Sequence, residues 1–172
     1  MALVVLAAAC GATTGSPTSG ASAGTSSGDV AGPSPTSWPG PIIEAVMNLA
    51  TADAQIQSAG TDLANAATYE DLKAMWGAAD GLATLLDKLT FEVSRIKDYP
   101  ATQDAYNAYN VAVPEMLTGA KKLRDAITAG DAAGVTAGSQ QLSVGLQAYA
   151  SARRLIGPLA DQALLMKKLL SK

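Results

Sequence analysis

The residue types that carry most enzyme chemistry are scarce in this chain. None of its 172 residues is a histidine, and Cys10 is the only cysteine. The absence of histidine excludes Ser-His-Asp and Cys-His nucleophile systems, histidine-ligated haem and the Glu-x-x-His pairs of di-iron bundles. A single cysteine excludes an internal disulfide and a Cys-x-x-Cys metal or redox site. The sequence therefore predicts a non-enzymatic protein that needs no cofactor.

Carboxylates are the remaining candidates for metal binding or acid–base chemistry. Asp53 falls on the apolar stripe of the first predicted helix, where a charge would need an arginine or an ion as its partner. Alternatively, assigning the buried face of the helix one residue earlier rotates the stripe and places Ala52 in the core and Asp53 at its edge. Asp80 and Asp87 are seven residues apart and share one face of the second helix. A cation site would require Asp53 to converge with Asp80 or Asp87; otherwise all three are solvated flanking charges.

Tyrosines form the second candidate site. Tyr106 and Tyr109 share a face of the third predicted helix, and Tyr149 lies on the apolar stripe of the fourth. In an antiparallel pair joined near Gly130, Tyr109 and Tyr149 come to similar heights. Together with Asn110, the three tyrosines are predicted to line a small polar pocket. The alternative is that their rings pack in the core and their hydroxyls reach its wet rim.

Four amphipathic segments must position these side chains. Their apolar residues recur at helical spacing, and no run alternates with the two-residue period of a strand. Short joints between segments of about 25 residues favour antiparallel neighbours. The predicted fold is all-α, an up-down-up-down antiparallel four-helix bundle over residues 41–172.

Capping and helix-breaking residues predict where these helices begin and end. Pro41 fits the first turn of the first helix, since its missing N–H would have no partner there. Thr68 is predicted to cap the second helix and Pro100 to end it. Gly130 is predicted to close the third helix in a left-handed conformation, with Asp131 as the next N-cap.

Prolines and glycines also fall inside the helical pattern. Pro114 is predicted to kink the third helix near Asn110. Gly157-Pro158 is predicted to break or bend the fourth, so that Leu159 to Leu170 continues as a helical tail. Each helical glycine costs about 1 kcal/mol relative to alanine, so their number implies close helix approaches or a modestly stable bundle. These glycines are Gly60, Gly77, Gly81, Gly119, Gly138 and Gly145.

The first nine residues are entirely apolar. They are too few to span a bilayer as a helix, which needs about 20 residues, but they suit the apolar region of a signal peptide. The run Leu6-Ala7-Ala8-Ala9-Cys10-Gly11 resembles the lipobox of bacterial lipoproteins, over residues 1–11 only. The resemblance implies cleavage before Cys10, a diacylglyceryl group on its thiol, and acyl chains such as palmitate that anchor the protein to a bacterial membrane. The alternative is an ordinary secretory signal with an incidental cysteine.

Residues 11–40 are rich in Gly, Ser, Thr, Ala and Pro and carry one charge, Asp29. They cannot bury enough apolar surface to offset the entropy of ordering, so residues 10–40 are predicted to be a lipidated cysteine followed by a disordered spacer. Six acids precede Lys73, the first base; from there on 12 bases face 15 − 6 = 9 acids. Neither half has the dense basic patch of a nucleic-acid-binding protein.

Together these features predict an extracytoplasmic protein, anchored through lipid on Cys10, whose bundle binds an envelope protein, a glycan or a small molecule. One alternative is a structural envelope or spacer component without a small ligand. Another is a metal- or solute-binding protein that uses carboxylates. A void beside Tyr106, Tyr109 and Tyr149 would favour binding, and a filled core would favour the structural role.

Overall fold

A computed structural model describes residues 38–171 of the chain. The predicted signal peptide, Cys10 and most of the predicted spacer lie outside the described residues. Within them are four α-helices, α1 (Gly40–Thr68), α2 (Leu72–Arg95), α3 (Gln103–Ala129) and α4 (Ala132–Leu170), with a single 3-10 turn at Pro100–Thr102. No strand occurs between residues 38 and 171, so the prediction of an all-α fold is confirmed.

The connection between α1 and α2 corrects the predicted cap. Thr68 is the last residue of α1, and its Oγ1 donates to the carbonyl of Ala64 at 2.9 Å. The N-cap of α2 is Asp71, whose carboxylate accepts from the backbone N–H of Ala74 at 2.9 Å. Glu70 between them has φ 55°. The prediction that Thr68 caps α2 was wrong. Tyr69 and Glu70 form the turn, so Asp71, whose carboxylate is the stronger acceptor, stands in the N-cap position.

The α3–α4 connection matches its prediction. Gly130 has φ 67° and closes α3 in the left-handed conformation, which glycine adopts without a steric penalty. Asp131 follows at once as the N-cap of α4, where its side chain accepts from the backbone N–H of Ala133 at 3.1 Å. A turn this short places α3 and α4 side by side along their length.

Both interior prolines lie within continuous helices. Pro114 is inside α3 and Pro158 is inside α4, which runs unbroken for 39 residues, so the helix does not break at Gly157-Pro158. The alternative bend there and the kink at Pro114 stay predictions. A proline leaves the carbonyl four residues earlier without its helical hydrogen bond. Those earlier residues, Asn110 and Arg154, are exposed on the outside of the bundle, where water can take the place of the lost bond.

Contacts between consecutive helices run in opposite chain directions. The paired residues are Glu44–Arg95 and Asn48–Glu92 for α1–α2, Trp76–Thr128 and Asp80–Arg124 for α2–α3, and Met116–Gly145 and Leu123–Gly138 for α3–α4. In each helix pair, a higher number on one helix meets a lower number on the other, as antiparallel neighbours require. α1 also packs on α4, so the four helices enclose one core and the prediction of a helical bundle is confirmed.

All four helices contribute apolar side chains to this core. Its fully buried large residues include Leu49 and Ile56 of α1, Leu82 and Leu86 of α2, Met116 and Leu123 of α3, and Leu142 and Ile156 of α4. Burying a side chain of this size stabilises a fold by about 1.5–3 kcal/mol. Alanine accounts for 11 of the 31 apolar residues buried within residues 38–171, and its small side chain lets the helix backbones approach one another.

Trp38 closes one end of the bundle. Its ring is buried and meets the ring of Tyr99 edge-to-face, with centroids 5.7 Å apart. Tyr99 belongs to the α2–α3 connection, in which the buried Thr102 donates through Oγ1 to the carbonyl of Ile96 at 2.7 Å. The start of α1 and the α2–α3 connection therefore share one end, while the other two connections lie at the opposite end.

Three glycines bring α3 and α4 into backbone contact. A Cβ built on any of them would lie 2.5–2.6 Å from a backbone nitrogen of the facing helix. The pairs are Gly119 with Leu142, Gly138 with Leu123, and Gly145 with Met116. Gly60, Gly77 and Gly81 have nothing within 4 Å of the same position. Half of the glycines singled out in the sequence are thus close approaches, and the other half are open.

Substituting glycines of the two kinds should shift stability in opposite directions. We expect Gly138→Ala to lower the free energy of unfolding by about 1–3 kcal/mol, because the atoms it meets are backbone and cannot move aside alone. We expect the control Gly81→Ala to raise it by up to about 1 kcal/mol, the difference in helix propensity. Urea unfolding followed by circular dichroism measures both, and equal gains in the two variants would contradict the close approach.

Candidate functional site

Tyr109 and Tyr149 meet across the α3–α4 interface. Their rings are edge-to-face, with centroids 5.7 Å apart and planes at 83°. Tyr109 is 0 % exposed and Tyr149 is 4 % exposed, so both rings belong to the core. The short turn at Gly130 puts the two residues at the same height, as the sequence predicts. An edge-to-face pair of this kind contributes about 0.5–1.5 kcal/mol beyond its buried area.

Asp53 faces this pair from α1. Its Oδ2 accepts from Arg153 Nε of α4 and from Gln57 Nε2, both at 2.8 Å. The Asp53 side chain is 16 % exposed and Ala52 is buried. The rotated stripe is therefore the correct arrangement, with Ala52 in the core and Asp53 at its edge. The partner that a charge in this position needs is Arg153.

Three buried polar atoms point to one another at this place, and we call Asp53, Tyr109 and Tyr149 the buried polar cluster. Asp53 Oδ1 and the two tyrosine hydroxyls are inaccessible to solvent, and within residues 38–171 none makes a hydrogen bond of good geometry, although the three groups are close enough to interact with one another. Leaving a polar atom buried and unpaired costs about 1–3 kcal/mol. The cluster is thus a local source of instability inside an otherwise apolar core.

The environment of the cluster keeps both tyrosines protonated. Burial, with a smaller contribution from the negative charge of Asp53, raises the pKa of Tyr109 to about 12 against the opposing effect of the Tyr149 hydroxyl. Burial also raises the pKa of Tyr149, with additional contributions from Tyr109 and Asp53. At neutral pH both hydroxyls are therefore hydrogen-bond donors, and neither can act as a phenolate base.

A cleft of about 250 Å³ opens between α2 and α3 on the other side of Tyr109. Three of the four residues predicted to form a pocket line it, namely Tyr106, Tyr109 and Asn110. Tyr149 does not line it, and instead packs edge-to-face with Tyr109 across the α3–α4 interface. The predicted pocket is therefore divided between an open cleft and a buried cluster, and Tyr109 belongs to both.

The cleft is polar at its rim and apolar at its floor. Lys97 supplies a positive charge, and Thr90, Ser94, Tyr106 and Asn110 supply hydroxyl and amide groups. Val93, Val113 and Pro114 form the apolar part, and none of the nine lining residues is acidic. Such a lining suits an anionic or hydroxyl-rich molecule, since it offers donors and one cation without a competing carboxylate. The sequence does not identify the α2 residues of the cleft, because their spacing is that of an ordinary amphipathic helix and carries no additional motif.

A wider surface depression of about 680 Å³ lies at the α1–α2 turn. It is lined by Asp62, Asn65, Ala66, Tyr69, Asp71, Ala74, Gly77 and Ala78. The sequence does not predict this depression, because it places the N-cap of α2 at Thr68 and not at Asp71, which lines the depression. Ala66 is the single buried residue of its lining, and Asp71 is already occupied as a helix cap. The α2–α3 cleft is backed by three buried side chains, Val93, Tyr109 and Val113, so we regard it as the better candidate site.

The three carboxylates considered for a cation site do not come together. Asp80 pairs with Arg124 at 3.1 Å and Asp87 with Lys121 at 3.2 Å, both on α3, whereas Asp53 pairs with Arg153 of α4. Across residues 38–171, no three Asp, Glu, His or Cys side chains are grouped as metal ligands. The convergence that a carboxylate cation site requires is thus not found.

Comparison of the chain with protein-family models, with curated proteins and with solved structures finds no match. Of the helices in residues 38–171, none combines the length and the hydropathy that a membrane-spanning segment needs. The function of the protein is therefore inferred from its own sequence and geometry.

The buried polar cluster should make the protein lose stability in alkali. Between pH 10 and about pH 12 the unfolded chain gives up the Tyr109 proton while the folded chain keeps it. The free energy of unfolding should therefore fall by about 1.4 kcal/mol per pH unit from Tyr109 above pH 10, with no such loss below it, and Tyr149 should add to the slope. Guanidinium unfolding between pH 8 and pH 11.5 measures this dependence.

Phenylalanine variants separate the cluster from other alkaline effects. Tyr109→Phe with Tyr149→Phe should flatten the alkaline slope, and at pH 7 it should cost little, since each change removes a buried hydroxyl that has no partner. Tyr69→Phe is the matched control because Tyr69 is solvent-exposed. The same slope in the double variant and in the control would show that the cluster is not responsible.

Proposed function

We propose that this chain is a lipid-anchored extracytoplasmic protein that acts by binding rather than by catalysis. The lipobox-like run from Leu6 to Gly11 supports the anchor, and the predicted spacer after it would hold the bundle away from the membrane. The absence of histidine from the whole sequence supports a non-enzymatic role.

The binding site in this proposal is the α2–α3 cleft, and its lining is the observation that carries the proposal. Lys97 and the hydroxyl and amide groups around it would hold an anionic or hydroxyl-rich ligand, while Val93 and Val113 contact its apolar part. The cleft volume of about 250 Å³ is just below the range of about 300–1,000 Å³ that suits drug-sized ligands. We therefore propose a ligand of the size of one sugar unit or one amino acid, free or as part of a longer envelope glycan.

Tyr109 would give the cleft a rigid wall. Its ring is fixed between the apolar core and Tyr149, so it loses no rotamer freedom when a ligand binds. Tyr106 and Asn110 are one helical turn apart on the same face of α3 and could donate to the same ligand. The combination of a fixed aromatic wall with adaptable polar groups at the rim is typical of small polar ligand sites.

Intact mass spectrometry of protein purified in mild detergent from its host tests the anchor. We expect the mass of residues 10–172 plus a diacylglyceryl unit, with or without a further acyl chain on the new amino terminus. Cys10→Ser should abolish both the added mass and the processing before residue 10, because the thiol is the lipid acceptor. Cleavage at another position without lipid would contradict the anchor and favour a freely secreted bundle.

Native mass spectrometry of the same preparation tests the cleft. We expect an additional non-covalent mass that disappears in Asn110→Leu, which removes an amide from the lining. Asn107→Leu is the matched control, since Asn107 is also an exposed asparagine of α3 but does not line the cleft. No bound mass in the unaltered protein, or equal loss in both variants, would contradict the cleft proposal and favour the structural role.

A further inference from the structure

The second half of α4 carries an exposed apolar stripe. Leu155, Pro158, Leu165 and Leu169 repeat at spacings of three, seven and four residues, so they share one side of the helix. Their side is turned away from the core, which receives Ile156, Ala163 and Met166 of the same segment instead. Leu165 is 61 % exposed and Leu169 is 58 % exposed. Leu164 and Leu170 are also exposed, but each projects about a quarter of a turn to one side of the stripe. We call Leu155, Pro158, Leu165 and Leu169 the α4 terminal face.

The α4 terminal face lies at the end of the bundle where the described chain begins. Consecutive helices are antiparallel, so α4 ends where α1 starts and where α2 joins α3. Trp38 and Tyr99 mark that end by their ring contact. Any tether that joins the bundle to Cys10 must enter at Trp38, next to the α4 terminal face.

Positive charge accompanies the exposed leucines. Residues 151–171 carry Arg153, Arg154, Lys167 and Lys168 against Asp161, a balance of 4 − 1 = +3, whereas the whole chain has −3. Arg153 is paired with Asp53. Arg154 and Lys168 are exposed and lie beside the α4 terminal face at helical spacing, whereas Lys167 lies on the opposite side of α4. Exposed leucines with neighbouring lysines are the composition of helices that bind the interface of anionic membranes.

We propose that the α4 terminal face docks on the surface of an anionic phospholipid membrane. The leucines enter the headgroup region and the basic residues beside them, Arg154 and Lys168, contact lipid phosphates, while the helix lies on the membrane and does not cross it. Its physiological role rests on the proposed lipid anchor, which would hold this end of the bundle near the bilayer. Docking would then fix the orientation of the α2–α3 cleft relative to the membrane.

The stripe is also the right length for such contact. From Leu155 to Leu169 it extends 14 residues, or about 21 Å along the helix. A second copy of the chain is the competing occupant, but the charges argue against it. In an antiparallel self-contact the lysines of each copy would find Asp161 as the single acid in the segment, so positive charge would face positive charge.

Vesicle sedimentation tests the docking without the lipid anchor. The probe is vesicles of phosphatidylglycerol and phosphatidylcholine mixed with the chain from residue 10 onward, carrying Cys10→Ser so that no acyl chain contributes. We expect binding that weakens with salt and falls at least tenfold in Leu165→Glu with Leu169→Glu. The matched control is Leu72→Glu with Val111→Glu, whose side chains are 55 % and 60 % exposed but lie outside the α4 terminal face. Circular dichroism checks that both double variants keep their helices.

The lysines provide a second readout. Lys168→Gln should lower binding to the anionic vesicles about fivefold and leave binding to phosphatidylcholine alone unchanged. Lys167→Gln should have a smaller effect, because Lys167 lies on the opposite side of α4. Absence of vesicle binding overturns the proposal, as does equal loss in the test and control variants. A concentration-dependent dimer that Leu165→Glu with Leu169→Glu dissociates, without vesicle binding, overturns it in favour of self-association. A missing diacylglyceryl mass would refute the anchor alone, so the two failures are distinguishable.

Discussion

The close approach of α3 and α4 is the constraint on which the rest of the structure depends. Glycines at three positions let the two backbones touch, and no residue with a side chain fits there. The approach fixes the register of the two helices and thereby sets Tyr109 against Tyr149. The position of Tyr109 in turn determines one wall of the α2–α3 cleft and the arrangement of the buried polar cluster.

The buried polar cluster and the cleft are two sides of one aromatic ring. Asp53 and Tyr149 impose an uncompensated polar environment on one side of Tyr109, while the other side borders the cleft. A core that buries unpaired polar atoms gives up stability that an apolar core would keep. Natural chains retain such arrangements mostly where they serve a function, which agrees with a binding role for the neighbouring cleft.

Much of this architecture follows from local rules in the sequence. The helical repeat of the apolar residues, Gly130 with Asp131, and the equal heights of Tyr109 and Tyr149 all predict features that the structure has. The sequence predicts Thr68 rather than Asp71 as the cap of α2, and this is wrong because the length of the turn before α2 depends on packing. It could not separate the close-contact Gly138 from the open Gly81, since that difference lies in the facing helix. The α2 residues that line the cleft are not predicted from the sequence for the same reason.

The two tryptophans give the bundle an intrinsic reporter at each end. Trp38 is buried against Tyr99 where α1 begins, and Trp76 is partly exposed at the opposite end, with its indole N–H donating to Thr128 Oγ1 at 3.0 Å. Their emission spectra should differ, because one indole is in a dry environment and the other contacts water. Fraying of either end would therefore have its own fluorescence signature, so the order in which the bundle opens under denaturant can be followed without a label.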